Sequence, residues 1–156
     1  MTRAFIFPGQ GSQAVGMGKA LAEAFAPARE VFQEVDDALS QKLSKVMWEG
    51  PESDLVLTEN AQPAIMAASM AVVRVLQKES GLDFAKHARL VAGHSLGEYT
   101  ALCAVGAFTL ADTARLLKAR GWRQATHSWT RPNGSRVSLP VRMSYCLQAP
   151  RRALFT

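Results

Sequence analysis

Only two of the 156 residues are cysteine, Cys103 and Cys146. Such a pair makes neither a disulfide framework nor a zinc ligand set, so no metal is expected and a reducing, cytoplasmic setting is. Long apolar runs are missing as well. The stretch Ala4-Phe5-Ile6-Phe7 is cut off by Pro8-Gly9, too short for a secretory signal and far too short to span a bilayer. The sequence shows no internal repeat, which excludes solenoids and arrays. What remains is 48% hydrophobic, 8% aromatic and 20% charged, an ordinary globular composition for one domain with a core.

Acidic residues are lacking in one place only. Residues 1–121 hold 12 Lys and Arg against 13 Asp and Glu, whereas residues 122–156 hold six Arg, no Lys and no acid. The net charge of +5 therefore belongs to the tail and not to the body. From Trp122 onward the helical period also fades into Ser, Thr, Pro and Arg. The chain accordingly divides into a body, 1–121, and an anomalous Arg-rich tail, 122–156.

The body alternates strand-like and helix-like segments. Thr2–Phe7 predicts a strand, followed by helical spacing from Met17 to Phe25 and again from Val31 to Leu39, with Pro27 marking the break. Asn60 is expected to cap a long apolar helix with Pro63 early in its first turn, ending near Gly81. Ala88–Gly93 reads as a second strand, and helical pattern resumes from Glu98 to about Ala104. Thr109 and Asp112 resemble a capping box that opens a last helix through Arg120. This order predicts an α/β fold with a parallel sheet and flanking helices.

Gly93-His94-Ser95-Leu96-Gly97 fits G-x-S-x-G, with a strand leading in and a helix leading out. In such an elbow the serine is strained into exposing its hydroxyl, and the flanking residues must be glycine because a Cβ would collide with neighbouring backbone. The helix N-terminus behind it favours a developing oxyanion. A second glycine loop, Gly9-Gln10-Gly11-Ser12-Gln13, follows the first strand. It is not a phosphate cradle, because Gln13 and Ala20 stand where a P-loop needs Gly and Ser or Thr, and Ala14 breaks G-x-G-x-x-G. It is the one candidate for the second N–H of an oxyanion hole.

Phe7-Pro8-Gly9-Gln10-Gly11-Ser12-Gln13, Asn60-Ala61-Gln62-Pro63-Ala64 and Gly93-His94-Ser95-Leu96-Gly97-Glu98-Tyr99 occur in this order. Together they closely resemble the malonyl-CoA:acyl carrier protein acyltransferases of fatty-acid synthesis, over residues 1 to about 121. The resemblance implies an α/β-hydrolase-like large subdomain, here incomplete. It also implies that Ser95 takes the malonyl group as an ester and that the backbone N–H groups of Gln10 and Leu96 form the oxyanion hole. Arg120 matches the family arginine that holds the malonyl carboxylate, a role suited to the planar, bidentate guanidinium. The implied partners are malonyl-CoA and the phosphopantetheine thiol of an acyl carrier protein, with no metal, bound cofactor, membrane or nucleic acid.

The family's general base is a histidine far downstream of the serine, and this chain ends before that position. None of its own histidines is expected to replace it: His94 should point away from Ser95, His87 precedes the second strand, and His127 lies in the tail. Where the family enters a smaller subdomain with a G-x-M-A-A pattern, this chain has Arg131-Pro132-Asn133-Gly134-Ser135-Arg136. A one-base shift of suitable codons for those residues reads Gly-Gln-Met-Ala-Ala-Val. The tail is therefore read as frameshifted or disordered. Other readings are a polyketide synthase acyltransferase module, a generic serine esterase, and a non-catalytic fragment with a basic arm that binds nucleic acid. With the base and later strands absent, the chain is expected to give little or no transacylase turnover and to aggregate through apolar helices around Val72 and Leu102. A cooperative thermal melt of a soluble monomer would contradict that expectation.

Overall fold

The computed structural model describes residues 3–126 and 146–148. The elements run β1 (Arg3–Phe7), α1 (Lys19–Ala24), α2 (Ala26–Leu39), α3 (Leu43–Glu49), α4 (Glu52–Leu55) and α5 (Thr58–Glu79). They continue α6 (Phe84–His87), β2 (Ala88–Gly93), α7 (Leu96–Ala104), α8 (Leu110–Thr126) and β3 (Cys146–Gln148). Strands β1 and β2 pair in parallel, with Phe5 opposite Val91 and Phe7 opposite Gly93. Strand β3 pairs antiparallel on the other side of β2, so β2 is central among the described strands. The expected α/β class with a parallel sheet and flanking helices holds.

Side chains alternate across the sheet. Phe7 and Val91 turn into the core, while Ile6 between them in register is 79% exposed on the opposite face. The core is dominated by α5, whose Ile65, Met66, Ala67 and Met70 are buried along with Val31, Phe32 and Val35 of α2 and Ala114 and Leu117 of α8. Phe32 meets Trp48 edge-on at 5.4 Å between ring centroids, fastening α3 to α2. Val72 is exposed and Leu102 half-buried, so both apolar helices are partly uncovered among the described residues.

Local chemistry explains where the elements depart from the sequence reading. The break between α1 and α2 falls at Phe25, and Pro27 sits in the first turn of α2, where its missing N–H costs no helix bond. Asn60 does not cap α5. The helix starts at Thr58, and the Asn60 side chain instead donates to the Asp54 carbonyl at 2.8 Å. Pro63 accordingly lies inside the helix. Helices α3 and α4 were not foreseen, because α3 takes its capping from a distant residue. Buried Asp36 of α2 accepts from the Ser44 backbone N–H at 2.8 Å and from its hydroxyl at 2.6 Å. Thr109 does act at the start of α8, accepting from the Asp112 N–H at 3.1 Å and donating to the Asp112 carboxylate at 2.7 Å.

Helix α8 was expected to end at Arg120 but runs on to Thr126, across the boundary drawn at 121/122. Gly121 lies inside this helix. A Cβ there would come within 2.5 Å of Glu59 Cα and 2.6 Å of the Thr58 carbonyl, so the bare glycine lets α8 lie against the first turn of α5. The rest of the tail assignment, at 127–145 and 149–156, lies outside the described residues. Gly121→Ala is expected to destabilise the chain by about 1–3 kcal/mol, read as a lowered urea midpoint with an unchanged slope.

Candidate functional site

Three backbone segments meet where β1 and β2 end, and each contact requires the absence of a side chain. A Cβ on Gly93 would strike the Gly97 carbonyl group. One on Gly97 would lie 2.5 Å from the Phe7 carbonyl oxygen and 2.8 Å from that of Pro8. One on Gly9 would lie 2.6 Å from His94 Nδ1 and 3.0 Å from the His94 carbonyl oxygen. The glycines of both loops thus press the turn after β1 against the turn after β2, as the elbow pattern requires. The His94 N–H donates to the Phe7 carbonyl at 3.3 Å and joins the two.

Ser95 sits at the tip of this junction with φ 57° and ψ −109°, a combination outside the left-handed helical basin and costly for a residue with a Cβ, by about 1–3 kcal/mol. Leu96 is the first residue of α7, so its N–H is among those a helix leaves without an internal partner. In the loop after β1 the Gly11 N–H donates to Gln13 Oε1 at 2.9 Å and the Ser12 hydroxyl to the Gly9 carbonyl at 3.0 Å. Neither bond uses the Gln10 N–H. The Gln10 side chain reaches Thr58 Oγ1 at 3.4 Å.

Arg120 arrives from α8, far away in sequence, and its Nη2 donates to Ser95 Oγ at 2.8 Å. Its Nη1 donates to Gln62 Oε1 at 2.6 Å, and its guanidinium carbon lies 5.7 Å from the centroid of the Tyr99 ring. Gln62 in turn donates from Nε2 to Gln124 Oε1 at 2.6 Å. The sequence singled out the motif that contains Gln62 without giving that residue a role. Its signal was an amide side chain at a helix position otherwise flanked by apolar residues, and it is fully buried.

Lys118 secures the helix that delivers Arg120. Its ammonium donates to Gln41 Oε1 at 2.7 Å and to Asn60 Oδ1 at 2.8 Å, tying α8 to the end of α2 and the start of α5. Burial lowers its pKa from the ordinary 10.5, against the opposing pull of the Glu59 carboxylate. On α7, burial raises the Cys103 thiol pKa despite a hydrogen bond with Thr113, which disfavours its reactive thiolate form. Glu98, in the first turn of α7, has a buried Oε1 without a hydrogen-bond partner among the described residues.

The described histidines do not reach the serine. His94 turns toward Gly9, and His87 Nδ1 lies 2.9 Å from the Asp83 carbonyl and 3.0 Å from the Asp83 N–H. His127 falls outside the described residues. Among the described residues, Arg120 is the side chain hydrogen-bonded to Ser95 Oγ. No group of three or more His, Cys, Asp or Glu among them is placed to hold a metal. No described helix is long and apolar enough to cross a membrane. A depression of about 360 Å³ lined by Lys19, Ala22, Glu23, Arg29 and Trp48 shares no residue with the site.

The model of the acyl transferase domain family matches residues 4–147. Malonyl CoA-acyl carrier protein transacylase of Bacillus subtilis (strain 168) is 48% identical over 120 residues, which are 76% of this chain and 36% of the relative. Its counterpart in Escherichia coli (strain K12) is 43% identical over 118 residues, 76% of this chain and 37% of the relative. Among solved structures, acyl-carrier-protein-S-malonyltransferase from Bartonella henselae matches with a TM-score of 0.78 and 62% identity, covering 80% of this chain and 40% of that one. A malonyl-transacylase in complex with a type II PKS acyl-carrier protein matches with a TM-score of 0.72 and 42% identity, covering 78% and 39%. The chain thus spans little more than a third of the length of these curated relatives.

The lowered Lys118 pKa has a definite sign. The folded chain holds this proton less tightly than the unfolded one, so the Lys118 contribution to stability rises as pH climbs from the folded value toward 10.5. Urea midpoints measured across the alkaline range should show this gain, and Lys118→Met should remove it.

Proposed function

The chain belongs to the acyl transferase domain family, and from that premise we propose that it carries the acyl-accepting half of a malonyl-CoA:acyl carrier protein transacylase site. One observation carries the reading: the strained elbow serine and a guanidinium lie 2.8 Å apart. A nucleophile and a fixed cation in contact suit an acyl donor that brings both an electrophilic carbonyl and a carboxylate.

In the proposed reaction Ser95 Oγ attacks the thioester carbon of malonyl-CoA. The electron pair of the carbonyl moves to its oxygen, which the N–H groups of Gln10 and Leu96 receive, helped by the positive end of α7. Collapse of this adduct breaks the carbon–sulfur bond, and coenzyme A leaves as the thiol with the proton that Oγ has lost. The carrier protein's phosphopantetheine thiol then attacks the Ser95 ester, the acyl group passes to sulfur, and Oγ recovers a proton. Through both steps Arg120 holds the malonyl carboxylate by a charge-assisted pair. An acetyl group has no such anchor, a difference of about 1.5–3 kcal/mol or roughly ten- to a hundredfold.

Both proton transfers need a base, and no described residue contacts Ser95 Oγ as one. The chain is therefore read as competent for slow acylation by oxyanion stabilisation and binding alone, which leave a residual rate when a base is missing. The tail beyond the described helix has no part in this proposal, and the site is placed in the cytoplasm with the pathway it serves. A polyketide setting uses the same chemistry; the resemblance of the three motifs to the fatty-acid enzymes favours the latter.

Incubation with malonyl-CoA should place a malonyl ester on the peptide containing Ser95, without catalytic turnover, and acetyl-CoA should label it at least about tenfold less. Ser95→Ala should abolish the ester and Arg120→Ala should erase the preference. Labelling that survives Ser95→Ala, or no ester at all, would overturn the assignment.

A further inference from the structure

A guanidinium can only donate hydrogen bonds, and an amide has one accepting and one donating end. This asymmetry gives the contacts behind Arg120 a direction. With Nη1 donating to Gln62 at 2.6 Å, the oxygen of the Gln62 amide must face Arg120. Its NH₂ then faces outward along α8 and finds Gln124 Oε1 at 2.6 Å. Arg120 alone therefore dictates the amide orientation, Gln124 is placed to accept its other end, and full burial of Gln62 leaves no water to offer another.

We infer that Gln62 is a positioning residue: it fixes the Arg120 guanidinium beside Ser95 so that Nη2 is the edge presented to an incoming acyl carboxylate. The inference rests on the proposed role of Arg120 as carboxylate binder. Three anchors then hold the guanidinium: the Gln62 oxygen at one nitrogen, the Tyr99 ring 5.7 Å from its carbon, and Ser95 Oγ 2.8 Å from the other nitrogen. Only the last contact must loosen when substrate enters. Gln62 keeps Nη1 engaged while Nη2 turns to the carboxylate, so binding does not leave a buried N–H without an acceptor. A neutral amide suits this task better than an acid. A carboxylate at position 62 would neutralise Arg120 permanently and remove its attraction for the substrate anion.

Malonate is the probe, titrated into the 156-residue chain labelled with ¹⁵N-arginine, with acetate as the comparison anion. Dissociation constants come from the Arg120 side-chain resonances and, independently, from calorimetry. Gln62→Met removes the acceptor without adding charge and is expected to weaken malonate at least about tenfold. The Arg120 Nη1 hydrogens that Gln62 engages should at the same time exchange faster with solvent while backbone amides of the α5 core keep parental exchange, a combination that mere loss of core packing would not give. Gln62→Glu is expected to abolish the preference for malonate over acetate. Gln124→Leu, at an exposed position, tests the same chain of contacts with little risk to folding, and is expected to weaken malonate about threefold.

Malonate affinity within twofold of the parent in both Gln62→Met and Gln124→Leu, with Arg120→Ala losing it, would overturn the positioning role while leaving the functional reading intact. If Gln62→Met does not fold, Gln124→Leu decides on its own: weakened malonate and faster Nη1 hydrogen exchange support the role, parental values overturn it. Unchanged affinity in Arg120→Ala would overturn the carboxylate-binding reading and this inference with it.

Discussion

The site depends on main chain touching main chain. Strand β2, the loop after β1 and the first turn of α7 approach so closely that a single Cβ at Gly93 or Gly97 would collide with carbonyl groups. That contact forces the turn at Ser95 into its unusual dihedral angles and brings the Gln10 loop against the elbow. The strain at Ser95 persists because both flanking elements are anchored elsewhere: β2 by its pairing with β1, and α7 by burial of Leu96, Thr100 and Ala101. Nothing about the serine side chain produces this geometry.

The cationic half of the site has a different origin. Arg120 is placed by helix packing, through Gly121 against the start of α5 and through Lys118 against Gln41 and Asn60. Lys118 gives up part of its solvation to make those contacts, which is why its pKa falls. Asn60 accepts from both Gln41 and Lys118 while donating to the Asp54 carbonyl, so three helices converge on one amide. The short segment Asn60–Gln62 thereby serves both purposes, with Asn60 holding the helices and Gln62 facing the guanidinium.

Much of this was legible before any coordinates. Both parallel strands, the glycine-flanked serine, the helix behind it and the contribution of Thr109 to the last helix are local features, written in residues close in sequence. Arg120 was readable only through its resemblance to a known family, since an arginine near a helix end carries no signal of its own. What stayed hidden depends on contacts between distant residues. Asn60 has the chemistry of a cap, yet it is drawn inward by Lys118, 58 positions away. The start of α3 is supported by Asp36 from the preceding helix, so no local pattern announces it. Nothing local marks Gly121 as a point of close packing. Gln62 shows its role only once Arg120 is beside it.

The division between main-chain and side-chain placement bears on how such a site can evolve. The serine hydroxyl is held where it is by backbone, so its location is heritable without regard to which side chains surround it. The guanidinium that faces it is held by replaceable side chains on two helices. Substitution on α5 and α8 can therefore revise the cationic side of the junction while the elbow serine passes unaltered from ancestor to descendant.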